Sequence, residues 1–366
     1  MRIAYIVNHL GPSGVNQVVA DLVSVFTARG HECVVCYLKD CDVPMHYACD
    51  TLRLSAVENL AGDFDVIHAH GLGPMLYVAR HRRALSHRQN GRQRPLFVTT
   101  LHCYCFQDLP SLYGWLKGGL MAMVYLWSTL LQDRVVCLSK DMMNYYARWI
   151  SRSKLRYVYN TRILPYQEDI TYDADDMKLV EKLKAWHAQG YHVIGMNGVL
   201  IYRKGVDLML RALQQLNHSV DQYRLVLVGE GKDKGDFVRL RDSLGLKNQV
   251  LFAGHRRDAY RFLPYYDVLA MPSHSEGFPL SLLEAAAMGV NTVVSDLPIV
   301  SECFDANCEL TQFHIADGAQ GLATAIMQAT MHGEDRGARL KLRYDRDYAP
   351  ERFYENYMKF YELSRD

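Results

Sequence analysis

Residues 273–289 read Ser273-His-Ser-Glu276-Gly277-Phe-Pro279-Leu-Ser-Leu-Leu-Glu284-Ala-Ala-Ala-Met-Gly289, directly after the apolar run Val268-Leu-Ala-Met271. An apolar run of this kind is a strand of a parallel sheet, buried on both faces. Glu276-Gly277 closes a polar turn. Pro279 suits the first position of a helix, where a missing N–H is no loss, and Gly289 suits the helix end. The helix therefore begins at the C-terminal edge of a parallel sheet. Its free N–H groups and positive dipole end form an anion site fit for a diphosphate. Glu276 stands beside that site and Glu284 about two turns in, where carboxylates can accept hydrogen bonds from sugar hydroxyls. A glutamate near a helix start can equally serve only to stabilise the dipole.

The same alternation runs outward in both directions. Downstream lies Asn291-Thr-Val-Val-Ser-Asp296. Upstream lie Tyr191–Gly198, a helix from Gly205, Arg224–Gly231 and Val250–His255. A separate series fills the first half: Ile3–Val7, Cys33–Leu38, Asp65–His70, Leu96–His102 and Val135–Ser139. The turn Gly11-Pro-Ser-Gly14 precedes Val15, Val18, Val19, Leu22, Val23 and Phe26 at helical spacing. Strands alternating with helices predict two doubly wound α/β domains. We place their linker in the tyrosine-rich stretch at about 157–190. The domains expected are 1–168 and 169–345, with 346–366 an aromatic amphipathic helix. Two such domains facing a central cleft make a default ligand site.

Across 366 residues, 49% are hydrophobic and 22% charged, which excludes a disordered or fibrous chain. The net charge is +1, but residues 1–165 hold 18 Lys/Arg against 11 Asp/Glu, so the first half carries an excess of seven positive charges. Cys33-Val-Val-Cys36 lies in an apolar strand without a second pair, so buried thiols are expected rather than a metal or redox site. Unpaired cysteines fit a reducing compartment. The run Ile3–Val7 is too short for the core of a signal peptide.

Glu276-Gly-Phe-Pro-Leu-Ser-Leu-Leu-Glu284 resembles the E-x7-E signature of the retaining GT-B glycosyltransferases of the family four type. Asn197-Gly198 followed by Arg203-Lys204-Gly205-Val206-Asp207 resembles that family's G-R-x4-K-G segment. Leu225–Gly231, Phe252-Ala-Gly-His255 and Tyr266-Asp-Val268 follow in the family's order. Gly11-Pro-Ser-Gly14, His68-Ala-His70-Gly71, Thr100-Leu-His102, Leu138-Ser-Lys140 and Asn160 resemble weaker landmarks. The resemblance implies the GT-B fold, with two Rossmann-like domains and the donor nucleotide on the second. It implies transfer of a sugar, with retention, from a nucleotide diphosphate sugar (a UDP-sugar is favoured) to a glycan or lipid-linked acceptor of bacterial surface polysaccharide synthesis. No metal or other cofactor is implied. The C-terminal helix would pack back towards the first domain.

By the same resemblance Glu276, His102 and Lys204 are the catalytic candidates. Glu276 would lie near the anomeric carbon, Lys204 would neutralise the diphosphate, and His102 would stand beside donor sugar and acceptor. Gly14, Arg203, Gly277, Phe278, Leu280, Ser281, Glu284 and His255 are the donor-binding candidates. Gly14 would let backbone approach the phosphates. Glu284 would hold the ribose, and the loop of His255 is where the base would be read. Of His68 and His70, one at most is expected to face the cleft. Val199 stands where the family has Arg, and Asn16 where it has Glu. These departures keep open a non-catalytic sugar-nucleotide or glycan-binding partner subunit. A dinucleotide fingerprint is not met, because Gly11 and Gly14 form only G-x-x-G.

Residues 80–94 carry six arginines and no acid, and an uncharged stretch of 15 residues, Gly118–Gln132, follows. A spanning helix needs about 20 residues, so this stretch does not cross a bilayer. By itself it reads as a core helix with its ends at the surface. The resemblance favours an anionic membrane surface met through Arg80–Arg94 and Leu112–Leu131. The expected location is thus cytoplasmic and peripheral to the inner face of the plasma membrane. No motif for nucleic acid accompanies the arginines.

Overall fold

The structure is a computed structural model that describes residues 1–54, 64–86, 94–218, 221–306, 308–331 and 334–362. Residues 1–163 with 348–366 form one compact unit, and residues 164–347 form a second. Among the described residues the first unit holds seven strands: β1 (Arg2–Val7), β2 (Glu32–Tyr37), β3 (Asp50–Arg53), β4 (Val66–His70), β5 (Leu96–Leu101), β6 (Arg134–Cys137) and β7 (Leu155–Tyr157). All pair in parallel in the order β3-β2-β1-β4-β5-β6-β7. Ile3 to Val7 of the central strand are fully buried, which is why their sequence is apolar without alternation.

The second unit holds β8 (His192–Asn197), β9 (Tyr223–Val228), β10 (Val250–Gly254), β11 (Val268–Met271), β12 (Thr292–Ser295) and β13 (Thr311–Phe313). They too are parallel, in the order β10-β9-β8-β11-β12-β13. Both sheets thus have the Rossmann strand order, and the doubly wound α/β class expected from the sequence is the class observed. In each, the order reverses beside the first strand, between β1 and β4 and between β8 and β11. Crevices at such switch points are where doubly wound sheets bind ligands.

Several local expectations need correction. The strands β3, β7 and β13 have no apolar run; Asp50-Thr-Leu-Arg53 is largely exposed, as an edge allows. Much of the stretch read as linker is the helix Ala174–Ala188. Asp173 caps it, accepting from the N–H groups of Asp175 and Asp176, and Leu179, Val180, Leu183 and Trp186 form its buried stripe. The helix Trp115–Leu130 is not a core helix. It buries Gly118, Ala122, Tyr125, Ser128 and Thr129, while Trp115, Leu116, Leu120, Met123 and Trp127 point to solvent. Gly118 is needed on the inner side, where a Cβ would come within 2.5 Å of the Leu109 carbonyl. The arginine run is not free of acid in space either. Arg82 and Arg94 both pair with Asp133, while Arg88 and Arg92 lie outside the described residues.

The helix Pro350–Glu362 belongs to the first unit and buries Phe353, Tyr357, Phe360 and Tyr361. Near the end of that unit, Arg162 donates to Asp21 at 2.6 Å, both side chains 3% exposed, and the Ile163 N–H meets the other oxygen of Asp21 at 3.3 Å. This pair pins the departing chain to the helix Gly14–Thr27. Arg162→Ala strands a buried carboxylate and is expected to lower stability by about 3–5 kcal/mol, whereas the apolar double swap Asp21→Leu/Arg162→Met restores most of it. Urea unfolding of the two variants checks this.

Candidate functional site

The crevice between β8 and β11 is lined by Asn197 at the end of β8 with Gly198 and Val199 after it, by Met271 at the end of β11 with Ser273 after it, and by Lys204, Glu276 and Ser281. Two close backbone approaches build it. At Gly205, φ is +71°, and a Cβ would sit 2.0 Å from the Pro272 carbonyl oxygen. At Gly229, φ is +152°, and a Cβ would sit 1.8 Å from the Gly198 carbonyl oxygen. Only glycine permits either, so the two loops can lie against the strand ends. The His274 N–H then donates to the Arg203 carbonyl at 2.8 Å, closing the Arg203–Gly205 turn onto the 273–277 turn.

This brings together residues 72 apart in sequence. Lys204 Nζ donates to Glu276 Oε1 at 2.6 Å, and Ser273 Oγ donates to the same oxygen at 2.7 Å. Arg203 Nη1 donates to the Ser275 carbonyl at 2.6 Å and lies 4.0 Å from Glu276 Oε2. The sequence did not require the Arg203 side chain to reach this loop; in the structure it does. Glu276 is buried at 8% exposure. Burial alone pushes its carboxyl up, but Lys204, Arg203 and the Ser273 hydroxyl outweigh it and hold the group below the usual carboxylate range. Glu276 is therefore an anion at neutral pH, held between cations.

The following helix spans Leu280–Met288, with Pro279 at its N-cap rather than at its first helical position, and Gly289 at its C-cap with φ +70°. The N–H groups of Leu280 and Ser281 open this helix and have no acceptor within it. Glu284 is its fifth residue, just over one turn in rather than two, and half-buried. Gly277 and Phe278 lie in the turn before it, Phe278 buried. Glu284, Arg203 and His255 are not among the residues lining the crevice, and His255 is exposed after β10. Val199 lines it and is largely exposed.

Gly14 and His102 belong to the first unit. Gly14 is the exposed first residue of the helix Gly14–Thr27, whose cap Ser13 accepts from the Asn16 N–H. Asn16 is buried, and its amide donates to the carbonyls of His9 (2.7 Å) and Gly11 (2.6 Å). The departure at position 16 thus has a local role: it closes the loop after β1. His102 follows β5 and accepts or donates at Nε2 to His70 Nδ1 at 3.1 Å. Strand alternation, which was expected to let one at most of His68 and His70 face the cleft, does not separate them. Positions two apart on a strand share a face. Their rings stack at 4.3 Å on the same side of β4. His68 is saturated by two hydroxyls, Tyr361 at Nδ1 and Thr100 at Nε2, both 2.8 Å away. Burial lowers the pKa of all three histidines, His102 to about 4. Sequence spacing could have found this cluster from the i, i+2 pair alone.

Cys33 and Cys36 are buried free thiols, pushed up to about 12 by burial, in keeping with the expectation of strand thiols. No group of three or more metal-ligating side chains occurs among the described residues.

Residues 181–342 match the family model of the glycosyl transferases group 1, and residues 12–161 that of glycosyltransferase family 4. The chain is 28% identical over 322 residues to the O-antigen biosynthesis glycosyltransferase WclY of Escherichia coli, a match spanning 84% of each protein. Among solved structures it resembles HepE of Anabaena bound to UDP and glucose, with a TM-score of 0.79 at 18% identity over 100% of this chain and 99% of that one. It also resembles WaaG, a glycosyltransferase involved in lipopolysaccharide biosynthesis, with a TM-score of 0.73 at 17% identity over 98% and 99%. At such identities the likeness to solved structures is one of fold.

Gly205→Ala is expected to destabilise the protein by more than the about 1–2 kcal/mol that a left-handed backbone demands of a residue with a Cβ. Gly190→Ala, at φ +81° with open space around it, is the matched control and bears the backbone term only. Thermal unfolding of the two variants side by side checks the difference.

Proposed function

We propose, for a chain that carries a family 4 glycosyltransferase domain followed by a group 1 glycosyl-transferase domain and so is a GT-B glycosyltransferase, that it moves a sugar from a UDP-sugar to a hydroxyl with retention at the anomeric carbon. The acceptor class is a glycan or lipid-linked saccharide of bacterial surface polysaccharide synthesis, a reading supported by the O-antigen enzyme among its relatives. The observation that carries the proposal is the Lys204–Glu276 pair beside the open N-terminus of the helix Leu280–Met288.

In this reading the acceptor oxygen bonds to the anomeric carbon as the bond from that carbon to the β-phosphate oxygen breaks. The electron pair stays on the phosphate, and the acceptor's proton passes to a phosphate oxygen on the same face. The developing diphosphate charge needs fixed positive partners. Lys204 and the N–H groups of Leu280 and Ser281 supply them without a metal ion. Glu276, already anionic, stabilises positive charge on the sugar ring. Glu284 holds the ribose, and by the family resemblance His102 is assigned to the sugar and Gly14 to the phosphates. Diphosphate entering beside Lys204 competes with Glu276 for the ammonium, so the cation is held ready at its post before the donor arrives.

The first unit also presents a membrane-facing surface in this reading. The helix Trp115–Leu130 exposes Trp115, Leu116, Leu120, Met123 and Trp127 along one side, with Trp115 82% exposed. Lys117 is its only charged residue. At its C-terminal end Lys154 and Arg82 donate to the carbonyls of Leu130 and Leu131. An apolar, tryptophan-bearing face edged by Lys154 and by Arg82, the latter paired with Asp133, fits the interface of an anionic bilayer, with the helix lying flat. No helix of the described residues is long and apolar enough to span one.

A thermal-shift panel of UDP, GDP, ADP, CMP and NAD in EDTA is expected to show a rise with UDP. Release of UDP from a UDP-sugar, read with and without EDTA, is expected to be metal-independent. Lys204→Ala and Glu276→Gln are each expected to lower kcat by about 10²–10³-fold with the fold intact. Binding without turnover in the parent protein would instead identify a non-catalytic subunit. In flotation assays, binding to phosphatidylglycerol vesicles is expected to be lost in Leu116→Ser/Leu120→Ser/Trp127→Ser; equal flotation would sink the membrane assignment.

A further inference from the structure

We propose that His70 is a positioning residue: by donating from Nδ1 to Nε2 of His102 it holds that ring in the tautomer protonated on Nδ1, so that His102 offers the sugar site an N–H donor and not a base. This rests on the reading of His102 as facing the sugar.

Desolvation keeps both rings neutral, so each carries a single N–H. The two rings meet at His70 Nδ1 and His102 Nε2, 3.1 Å apart, and one proton occupies that contact. His70 is 1% exposed, and its Nε2 has no hydrogen-bond partner among the described residues. A proton on Nε2 would therefore be a buried N–H without an acceptor, the costlier kind of orphan, whereas a bare Nε2 is only an unused lone pair. The proton of His70 is accordingly on Nδ1, where an acceptor waits. His102 Nε2 is then that acceptor, and the His102 proton is on Nδ1.

The surroundings leave no competing route. His68, the nearest ring, has both nitrogens engaged by the hydroxyls of Tyr361 and Thr100 and offers neither to His70. The hydroxyl of Thr100 is in turn 3.3 Å from that of Tyr357. Tyr5 closes the other side with its ring 6.2 Å from His70. Among the described residues, the groups that meet the histidine pair are thus neutral rings and hydroxyls, and no carboxylate acts on His70.

The chemical consequence is a division of roles. A neutral Nδ1–H can donate to a hydroxyl or ring oxygen of a sugar and polarise it. It cannot take a proton from the acceptor, because its one basic nitrogen is occupied by His70. The activity profile should then show no inflection from His102 between pH 6 and pH 8, since this ring titrates at about 4.

The test uses the full chain labelled with 15N-histidine and two-bond 1H–15N correlation spectra at pH 7. The parent is expected to show His102, assigned through His102→Gln, protonated on Nδ1. His70→Asn, whose side-chain N–H stands close to the lost Nδ1, is expected to keep that pattern. His70→Phe, which fills the space without donating, is expected to lose it, with kcat down by up to about 10²-fold and donor KM little changed. A His102 protonated on Nε2 in the parent, or an unchanged pattern in His70→Phe, would overturn the proposal. The site reading has its own arm: parent-like turnover by His102→Ala would remove His102 from the site whatever its tautomer.

Discussion

The geometry of the crevice between β8 and β11 depends on one close approach, that of the backbone at Gly205 to the carbonyl of Pro272. It sets the end of one loop against the end of β11. Lys204, next to that glycine, is thereby placed on Glu276, and Arg203 on the carbonyl of Ser275. A side chain at 205 would separate the two loops, and the three charges would no longer share a site. The approach of Gly229 to Gly198 does the same for the neighbouring loops after β8 and β9. The parallel sheet supplies the strand ends, and the glycines decide how tightly the loops lie upon them.

Charge is handled in opposite ways in the two units. In the crevice of the second unit a buried carboxylate is kept ionised because two cations and a hydroxyl surround it. The ends of β4 and β5 in the first unit hold three histidines whose pKa values burial lowers, His68 and His70 buried and His102 partly exposed. The first arrangement suits a step in which charge develops on a leaving diphosphate. The second suits neutral hydrogen-bonding to hydroxyls. The aromatic helix Pro350–Glu362 adds to the burial of His68, with the Tyr361 hydroxyl on its ring and the Tyr357 hydroxyl on Thr100.

Much of the fold was legible in the residues. Fully buried parallel strands lack alternation, so runs such as Ile3–Val7 and Leu225–Val228 announce themselves. The edge strands β3, β7 and β13 did not, because an edge is half-solvated and imposes little on composition. The helix Ala174–Ala188 was hidden by the charged residues of its outer face, although its cap Asp173 and its apolar stripe were present. The pair His68 and His70 was misjudged by a slip in periodicity, and their shared face follows from spacing alone.

The sequence by itself determined the two-fold repetition of a doubly wound unit, the helix start after β11 and the presence of Glu276, Lys204 and their glycines. Those are local properties: propensity, capping and burial act over a few residues. Only the tertiary structure decided which charges meet. Asp133 neutralises arginines 51 and 39 positions away, and Lys204 finds Glu276 at a separation of 72. It also decided that the helix Trp115–Leu130, apolar around most of its surface, buries its small residues and leaves its large ones to solvent. Packing selects the face that lets backbones approach most closely, here through Gly118 against Leu109. Hydrophobicity along a single segment carries no record of that choice.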